Sequence, residues 1–251
     1  MRNKLLLKVV NLEKNYQSND DEIKAIKNIN FEIEKGKFIS IVGPSGCGKS
    51  TLLSILAKLD KLSNGEILWF KDDIRIGYML QKDSLFPWLT ILDNCLLGLK
   101  IRKELTLENK NYVIKLLKTY GLGDFIYKYP SSLSGGMRQR AALIRTLAIK
   151  PDILLLDEPF SSLDAMTRVM LSDDVYKMIK DEKKTAIMVT HDIGEAVSMA
   201  DEVIVLSKRP SVVKKIYNLE YDKDLMPFKR RRSLLFNKYY EMIWSDLDVK
   251  V

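Results

Sequence analysis

The sequence of 251 residues is poor in cysteine and histidine, and it contains no long hydrophobic run. No run approaches the roughly 18 apolar residues that a transmembrane helix requires, so we expect no membrane span. The two cysteines, Cys47 and Cys95, are too few for a disulfide framework, which favours a reducing compartment. The short apolar run 5–7 is interrupted by Lys8, and we therefore expect no signal peptide. No internal repeat is evident, and 46% hydrophobic residues are typical of a globular protein.

Basic residues outnumber acidic ones. The chain has 41 Lys and Arg against 33 Asp and Glu, which gives a net charge of +8. The densest cluster covers 229–232, and no aromatic-rich nucleic-acid motif accompanies it. We favour a solvated basic face, rank a surface that faces anionic lipid second, and rank nucleic acid last. We therefore expect no nucleic-acid partner.

A glycine-rich loop follows the apolar run 38–42 and precedes an apolar helical pattern at 52–56. The loop reads Gly43-Pro44-Ser45-Gly46-Cys47-Gly48-Lys49-Ser50-Thr51. Strand, glycine loop and helix form the context in which G-x-x-x-x-G-K-[ST] binds phosphate. The glycines let backbone N–H groups point inward, and the helix that starts near Lys49 adds its positive end. Lys49 provides a charge for the β- and γ-phosphates of a nucleotide, and the Ser50 hydroxyl is a candidate Mg²⁺ ligand. A simple glycine turn is the less favoured alternative.

The N-terminal third of the chain alternates apolar and polar residues with the period of a β-strand. Residues 4–10 and 23–33 follow this pattern, and further strand patterns cover 66–70 and 76–80. We expect an antiparallel β subdomain ahead of the glycine loop. Tyr16 falls in a polar loop between the first two strands, where its ring serves either packing or stacking on an adenine.

Between residues 82 and 150 the hydrophobic period becomes helical. Thr90 and Thr106 are predicted helix N-caps. The predicted helices cover 91–99, 107–120 and 137–149. The loop 86–88 reads Phe-Pro-Trp, and these bulky side chains suit either a socket for a partner's helix or ordinary core packing.

Strands and helices alternate after residue 150. The predicted strands cover 153–156, 185–190 and 202–207, and the predicted helices cover 165–181, 194–199 and a C-terminal segment around 239–244. This alternation implies right-handed crossovers and a mostly parallel sheet, and ligands of such sheets bind at the carboxyl ends of the strands. Gly43, Asp157 and His191 all lie at this edge of the predicted sheet.

Polar residues at the predicted strand ends supply chemistry suited to a bound nucleotide. Asp157 is a candidate Mg²⁺ ligand opposite Ser50, and Glu158 is a candidate base for a water in line with the γ-phosphate. His191, the only histidine, is a candidate γ-phosphate contact. Gln81 is a candidate ligand of both Mg²⁺ and the attacking water. The alternatives are a solvated acidic strand end and a packed or surface histidine.

A second helix N-terminus suited to an anion begins at Ser134-Gly135-Gly136. It lies far in sequence from the glycine loop. Two arrangements remain open: the chain folds back to place both on one nucleotide, or a second copy of the chain supplies this segment across an interface.

Together these segments resemble the ATP-binding cassette ATPases over about residues 5–210. The matching motifs are the adenine-stacking aromatic Tyr16, the Walker A loop 43–51, Gln81 of the Q-loop, the signature 133–139, Walker B at 153–158 with the catalytic Glu158, the D-loop 161–164 ending in Asp164, and the switch His191. The resemblance implies that ATP is the substrate, with Mg²⁺ as cofactor. It also implies that two cassettes pair head to tail, so that each signature caps ATP on the partner's Walker A loop. Motion then passes to membrane permease subunits through the region after the Q-loop.

The resemblance implies an α/β fold with a P-loop NTPase core and mostly parallel sheet, an N-terminal antiparallel β subdomain and an inserted helical subdomain. We expect a single ABC ATPase domain over 1–251. Its parts are a RecA-like core with the antiparallel β subdomain over 1–81 and 151–210, a helical subdomain with the signature over 82–150, and a short C-terminal helical tail over 211–251.

The segments 85–90, 133–140 and 157–164 resemble the importer cassettes for nitrate, sulfonate and taurine. We therefore expect the ATPase subunit of a bacterial importer, peripheral at the cytoplasmic face of the membrane. It would work as a homodimer beneath permease subunits, and indirectly with a solute-binding protein. The alternative is a soluble cassette ATPase of translation or DNA repair. Those resemble two fused cassettes or carry long coiled-coil insertions, and this sequence shows neither.

Overall fold

The structure is a computed structural model that describes residues 4–17, 22–222 and 225–247. Strands occupy Leu5–Gln17 (β1), Glu22–Glu34 (β2), Phe38–Val42 (β3), Asn64–Trp69 (β4), Ile76–Met79 (β5), Ile153–Asp157 (β6), Thr185–Val189 (β7), Glu202–Leu206 (β8) and Val213–Asn218 (β9). Helices occupy Lys49–Leu56 (α1), Ile91–Ile101 (α2), Leu107–Thr119 (α3), Gly135–Ala148 (α4), Ala165–Asp181 (α5), Ile193–Met199 (α6), Pro227–Arg230 (α7) and Leu234–Asp246 (α8). Within these ranges, no helix is both long enough and apolar enough to cross a membrane.

A six-stranded sheet with the order β5-β6-β7-β3-β8-β9 forms the centre of the molecule. The first five strands are parallel, and β9 pairs antiparallel with β8 at the edge. Every residue of β3 and β7 is buried, because helices or a second sheet cover both faces. The mostly parallel sheet predicted from the sequence is confirmed.

A three-stranded antiparallel sheet, β2-β1-β4, covers one face of the central sheet. Alternate residues of the central strands point into two different cores. Ile39 and Ile41 of β3 pack with α1 and the antiparallel sheet, whereas Phe38 and Val42 pack among the helices on the other face. The predicted antiparallel subdomain is confirmed, but Tyr16 lies within β1 and not in a loop.

The segment between β5 and β6 folds as a helical layer in which α4 packs against α2 and α3. Thr90 and Thr106 cap α2 and α3 as predicted, by accepting hydrogen bonds from the backbone N–H groups three residues later. Ser134 caps α4 in the same way, so this helix begins at Gly135, two residues before the predicted start. The predicted bounds of α5, 165–181, agree with the structure.

The C-terminal stretch after β8 is not entirely helical, and the helical tail predicted over 211–251 is wrong in this respect. It begins with β9, which extends the central sheet. Helix α7 is fixed to the body by the buried Arg230, which donates hydrogen bonds to the carbonyl oxygens of Leu225 at 2.8 Å and Ala200 at 3.1 Å. Helix α8 packs on α6 and buries Ile243 completely.

Candidate functional site: a phosphate-loop cavity at the carboxyl edge of the sheet

The glycine-rich loop joins β3 to α1 beside an open cavity of about 560 Å³. Gly46 and Gly48 have φ angles of 71° and 104°, in the region that favours glycine, so both bends depend on the missing side chain. Lys49 begins α1 and donates from Nζ to the carbonyl oxygens of Gly43 at 2.8 Å and Pro44 at 3.1 Å. The ammonium group is therefore held over the loop, next to the positive end of α1.

The other loop residues divide between the cavity and the core. Ser45, Ser50 and Thr51 line the cavity. Cys47 points away from it into the core between the sheets, where burial raises the pKa of its thiol. This cysteine therefore packs the loop and has no direct access to a ligand in the cavity.

Asp157 ends β6 directly opposite the start of α1. Its Oδ1 accepts a hydrogen bond from the Ser50 hydroxyl at 3.0 Å, and its Oδ2 accepts one from the Tyr78 hydroxyl at 3.2 Å. Burial raises the pKa of the Asp157 carboxyl, and the two hydroxyl donors act against that shift. A hydroxyl and a carboxylate in contact are hard oxygen donors of the kind that Mg²⁺ prefers, so these two side chains fit the metal.

Glu158 lies in the cavity wall between Gln81 and His191. Its Oε2 accepts a hydrogen bond from Gln81 Nε2 at 3.4 Å and lies 3.1 Å from His191 Nδ1. The backbone of Glu158 has a φ of 44°, a left-handed conformation that is costly for a residue with a side chain. Its N–H donates to the Val189 carbonyl of β7 at 3.0 Å, which helps to hold this bend in place.

Tyr16 is not among the residues that line the phosphate cavity. Its hydroxyl donates to Asp60 Oδ2 at 3.0 Å, and the ammonium of Lys14 lies 4.6 Å from the ring centre. The ring is 40% exposed. A nucleotide base can therefore reach Tyr16 only by extending out of the cavity, and adenine stacking stays a prediction.

The signature segment also lies outside the cavity and packs on the start of α5. A Cβ placed on Gly135 would lie 3.1 Å from the Leu163 side chain, and one on Gly136 would lie 3.3 Å from Thr167. Asp164 caps α5 by accepting a hydrogen bond from Thr167 N at 2.9 Å, and hydrogen bonding from Thr167 lowers the pKa of its carboxyl. Ser134, Gly135, Gly136 and Asp164 therefore form one surface, separate from the phosphate loop of the same chain.

The structure adds two groups that the sequence reasoning missed. Tyr78 on β5 faces Asp157, and the parallel pairing of β5 with β6 was the available signal. Arg168 joins the loop between β6 and α5 to the loop between β7 and α6. It donates to the Leu163 carbonyl at 3.1 Å and to Asp192 Oδ2 at 3.3 Å. The buried Glu195, whose Oε1 lies 3.6 Å from Arg168 Nε, completes this link. Asp192 and Glu195 have the spacing of a capping box, which signals the start of α6 but not its contact with Arg168.

Comparison with known proteins assigns the chain to a family. The model of the ABC transporter family matches residues 26–161. The uncharacterized ABC transporter ATP-binding protein YtlC of Bacillus subtilis is 47% identical over 239 residues, which cover 93% of this chain and 92% of that protein. The aliphatic sulfonates import ATP-binding protein SsuB of Bacillus thuringiensis is 35% identical over 237 residues, which cover 91% of this chain and 93% of that protein.

A solved structure agrees with this assignment. The dimeric structure of a post-hydrolysis state of the ATP-binding cassette MJ0796, bound to ADP and Pi, superposes with a TM-score of 0.72 at 35% identity. The match covers 86% of this chain and all of the other. The chain belongs to the ABC transporter family and is an ATP-binding, ATP-hydrolysing cassette of that family.

Proposed function

We propose that this chain is the ATPase subunit of a bacterial importer, which drives uptake of a small solute such as a sulfonate, nitrate, taurine or a related compound through a separate permease. The observation that carries the catalytic part is the position of Glu158, between Gln81 and His191 at the wall of the phosphate cavity. The similarity to the sulfonate import protein SsuB supports the importer part.

The phosphate loop would bind the triphosphate of ATP. The N–H groups of the loop and the first turn of α1 would donate to the anion, and Lys49 would add a positive charge for the β- and γ-phosphates. The Lys49 ammonium donates to the Gly43 and Pro44 carbonyls, which hold it over the loop where these phosphates would lie.

Ser50 and Asp157 would hold Mg²⁺ against the phosphates, and Gln81 would add an amide oxygen at the edge of the site. When bound, Mg²⁺ would neutralise charge on the β- and γ-phosphates. Within the described residues, no cluster of three or more His, Cys, Asp or Glu side chains could hold a metal. The ion would therefore depend on phosphate oxygens for part of its coordination, and it would bind with the nucleotide.

Hydrolysis requires a water in line with the bond between the γ-phosphorus and the bridging oxygen. The Glu158 carboxylate would accept a proton from that water while the water oxygen bonds to phosphorus. The bridging bond then breaks, its electron pair stays with ADP, and inorganic phosphate leaves. Gln81 and His191 flank the carboxylate, and they would orient the water and contact the γ-phosphate respectively.

A second copy of the chain would close the site. The signature packs on the start of α5 and lies outside the phosphate cavity of its own chain, so we assign Ser134 to the cavity of a second copy. In a head-to-tail homodimer, Ser134, Gly135 and Gly136 of one copy would cap the γ-phosphate held by the other, with Asp164 beside them. Tyr16 would stack on the adenine outside the phosphate cavity.

The loop after Gln81 would receive the permease. Trp88 is 70% exposed, and its ring packs against Phe86 at a centroid distance of 5.3 Å. An exposed aromatic pair beside the helical layer suits a helix supplied by a partner. The chain would thus sit peripherally at the cytoplasmic face of the membrane, and a solute-binding protein would act through the permease.

The catalytic assignment is tested by phosphate release from Glu158→Gln, with the exposed Glu108→Gln on α3 as the matched control. We expect the Glu158 variant to bind ATP and to hydrolyse it about 100-fold or more slowly, since it lacks the general base. The control should retain the parental rate. Turnover of Glu158→Gln at the parental rate would show that the assignment is wrong.

The importer assignment is tested by purification from detergent-solubilised membranes of the source cell. We expect a multi-span permease to co-purify with the parent chain and to be lost from Trp88→Ala, while ATP binding persists. Leu107→Ala, at a residue 75% exposed on α3, should keep the permease. Bound nucleic acid in place of a permease would favour a soluble ATPase of translation or DNA repair.

A further inference from the structure

A second cavity lies next to the phosphate cavity, on its C-terminal side. It has a volume of about 510 Å³ and shares Ser45 and His191 with the phosphate cavity. Its far wall is formed by Tyr240, Trp244 and Leu247 at the end of α8. None of the residues that we assign to ATP hydrolysis belongs to this wall.

The wall is part of a stack of aromatic rings along α8. Tyr240 and Trp244 stack along α8 with ring centroids 6.0 Å apart and an interplanar angle of 20°. Phe236 continues the same stripe, stacked on Tyr240 at 5.9 Å. The spacing of four residues places all three rings on one side of the helix. Trp244 is nevertheless 39% exposed, so part of this aromatic side chain is open to solvent beside the cavity.

The same chain presents an exposed apolar pair elsewhere. Met166 and Met170 lie one turn apart on α5 and are 78% and 66% exposed. Methionine side chains are flexible and make favourable sulfur contacts with aromatic rings. Two methionines this exposed, four residues apart, suit a contact with an aromatic surface of another molecule.

The methionines lie next to the signature, and this favours a second copy of the chain as that molecule. Gly136 packs against Thr167, the residue that follows Met166, so the signature is in contact with the first turn of α5. In the head-to-tail dimer proposed above, the signature of one copy covers the phosphate cavity of the other. The second cavity adjoins the first at Ser45 and His191, so a segment beside the signature of that copy would come close to it.

We propose that Met166 and Met170 of one copy dock into the cavity lined by Tyr240, Trp244 and Leu247 of a second copy when ATP closes the dimer. This inference rests on the proposed head-to-tail dimer. A two-fold axis makes the contact twice, once on each side of the interface. Helix α8 thereby becomes part of the ATP-dependent interface, beyond the contacts made by the signature and the phosphate loop.

The inference is tested by sedimentation in the Glu158→Gln background, where ATP is bound and not consumed. We expect Met166→Gln/Met170→Gln to weaken ATP-dependent dimerisation about tenfold, since apolar anchors are replaced by polar groups of similar size. Leu234→Gln is the matched control, because Leu234 is 89% exposed on α8 and lies outside the cavity. It should dimerise like the background. An unchanged dissociation constant in the methionine variant would overturn the inference.

Cross-linking provides a second measurement that does not depend on the energy of the contact. Chains carrying Met166→Cys are mixed with chains carrying Trp244→Cys, both in the Glu158→Gln background, and treated with a short bifunctional maleimide. We expect a covalent heterodimer only when ATP is added. The native Cys47 and Cys95 are buried, and the background without added cysteines gives their contribution.

These experiments distinguish failure of this inference from failure of the proposed dimer. If Glu158→Gln dimerises with ATP and neither effect appears, Met166 and Met170 do not dock in the second cavity, and this inference is wrong while the dimer stands. If Glu158→Gln does not dimerise with ATP at all, the proposed dimer and this inference are both wrong.

Discussion

Glu195 provides a quantitative test of the structure around His191. This glutamate on α6 is 3% exposed, and its Oε2 accepts a hydrogen bond from the Thr190 hydroxyl at 2.6 Å. Burial raises its pKa from 4.5 to about 7, and the nearby Asp192 acts in the same direction. The hydrogen bond from Thr190 and the charges of Arg168 and Arg231 lower the pKa but do not offset the burial.

The sign of the effect on stability follows from proton binding. Between pH 4.5 and about 7 the native carboxyl keeps a proton that the unfolded chain releases, so the native state binds more protons and stability falls as the pH rises. The contribution is fully present below pH 4.5 and is lost once the pH has passed about 7. A shift from 4.5 to about 7 corresponds to about 3 kcal/mol in the free energy of unfolding.

Glu195→Gln removes the titration and keeps a side-chain oxygen that can accept from Thr190. Relative to the parent, the variant should therefore gain up to about 3 kcal/mol of stability as the pH rises from 4.5 to above 7. Urea unfolding at a series of pH values measures this difference. Glu108→Gln, at an exposed site, should change stability by no more than about 0.5 kcal/mol. Parallel stability curves for the parent and Glu195→Gln across this range would refute the reasoning.

Two further substitutions test how the fold is held together, each by urea unfolding. Arg230→Met should lower the free energy of unfolding by about 3 kcal/mol, because it leaves buried carbonyl acceptors without a donor; a loss no larger than that of the exposed Arg232→Met would contradict this. Gly65→Ala should destabilise more than Gly36→Ala, by at least about 1 kcal/mol. Both glycines have positive φ, but an added Cβ would lie 2.3 Å from Asn11 O at Gly65 and would meet nothing within 4 Å at Gly36. Equal losses of stability in Gly65→Ala and Gly36→Ala would contradict the close contact between Gly65 and Asn11.

Much of the fold was predictable because the central strands are short runs dominated by apolar residues. The strands Ile153–Asp157 and Thr185–Val189 are buried on both faces, and this requires the continuous apolar pattern that the sequence shows. Helix α5 was predicted with its correct bounds, because Asp164 caps it through a local hydrogen bond.

The sequence pattern predicts the wrong secondary structure at an irregular strand, β1, and at an edge strand, β9. Strand β1 shifts register between Val9 and Leu12, with Asn11 at a φ of 48°. Its apolar alternation breaks there, and the pattern therefore predicts too early an end for the strand. The pattern therefore predicts a loop at Tyr16, whereas the structure has this residue in β1. Strand β9 has mostly solvent-facing side chains, including Lys214 and Lys215, and an edge strand of this composition carries little hydrophobic signal.

The candidate site was predictable where a strand end fixes a residue, and not where a tertiary contact does. The sequence indicated that the phosphate loop, Asp157, Glu158 and His191 meet at one sheet edge, and the structure brings these residues together. The hydrogen bond from Tyr78 to Asp157 spans 79 residues, and the link through Arg168 depends on how α5 packs against α6. Neither contact follows from a local pattern.

The most direct measurement is the mass of the Glu158→Gln chain in solution with and without ATP, by analytical ultracentrifugation. If the ATP site is completed by a second copy, ATP should convert the chain of 28.9 kDa to a dimer of twice that mass. Glu158→Gln/Ser134→Arg should bind ATP equally well and stay monomeric, because the added side chain blocks closure at the signature. A Glu158→Gln chain that binds ATP and keeps the monomer mass, or a Ser134→Arg variant that dimerises normally, would contradict the two-copy site.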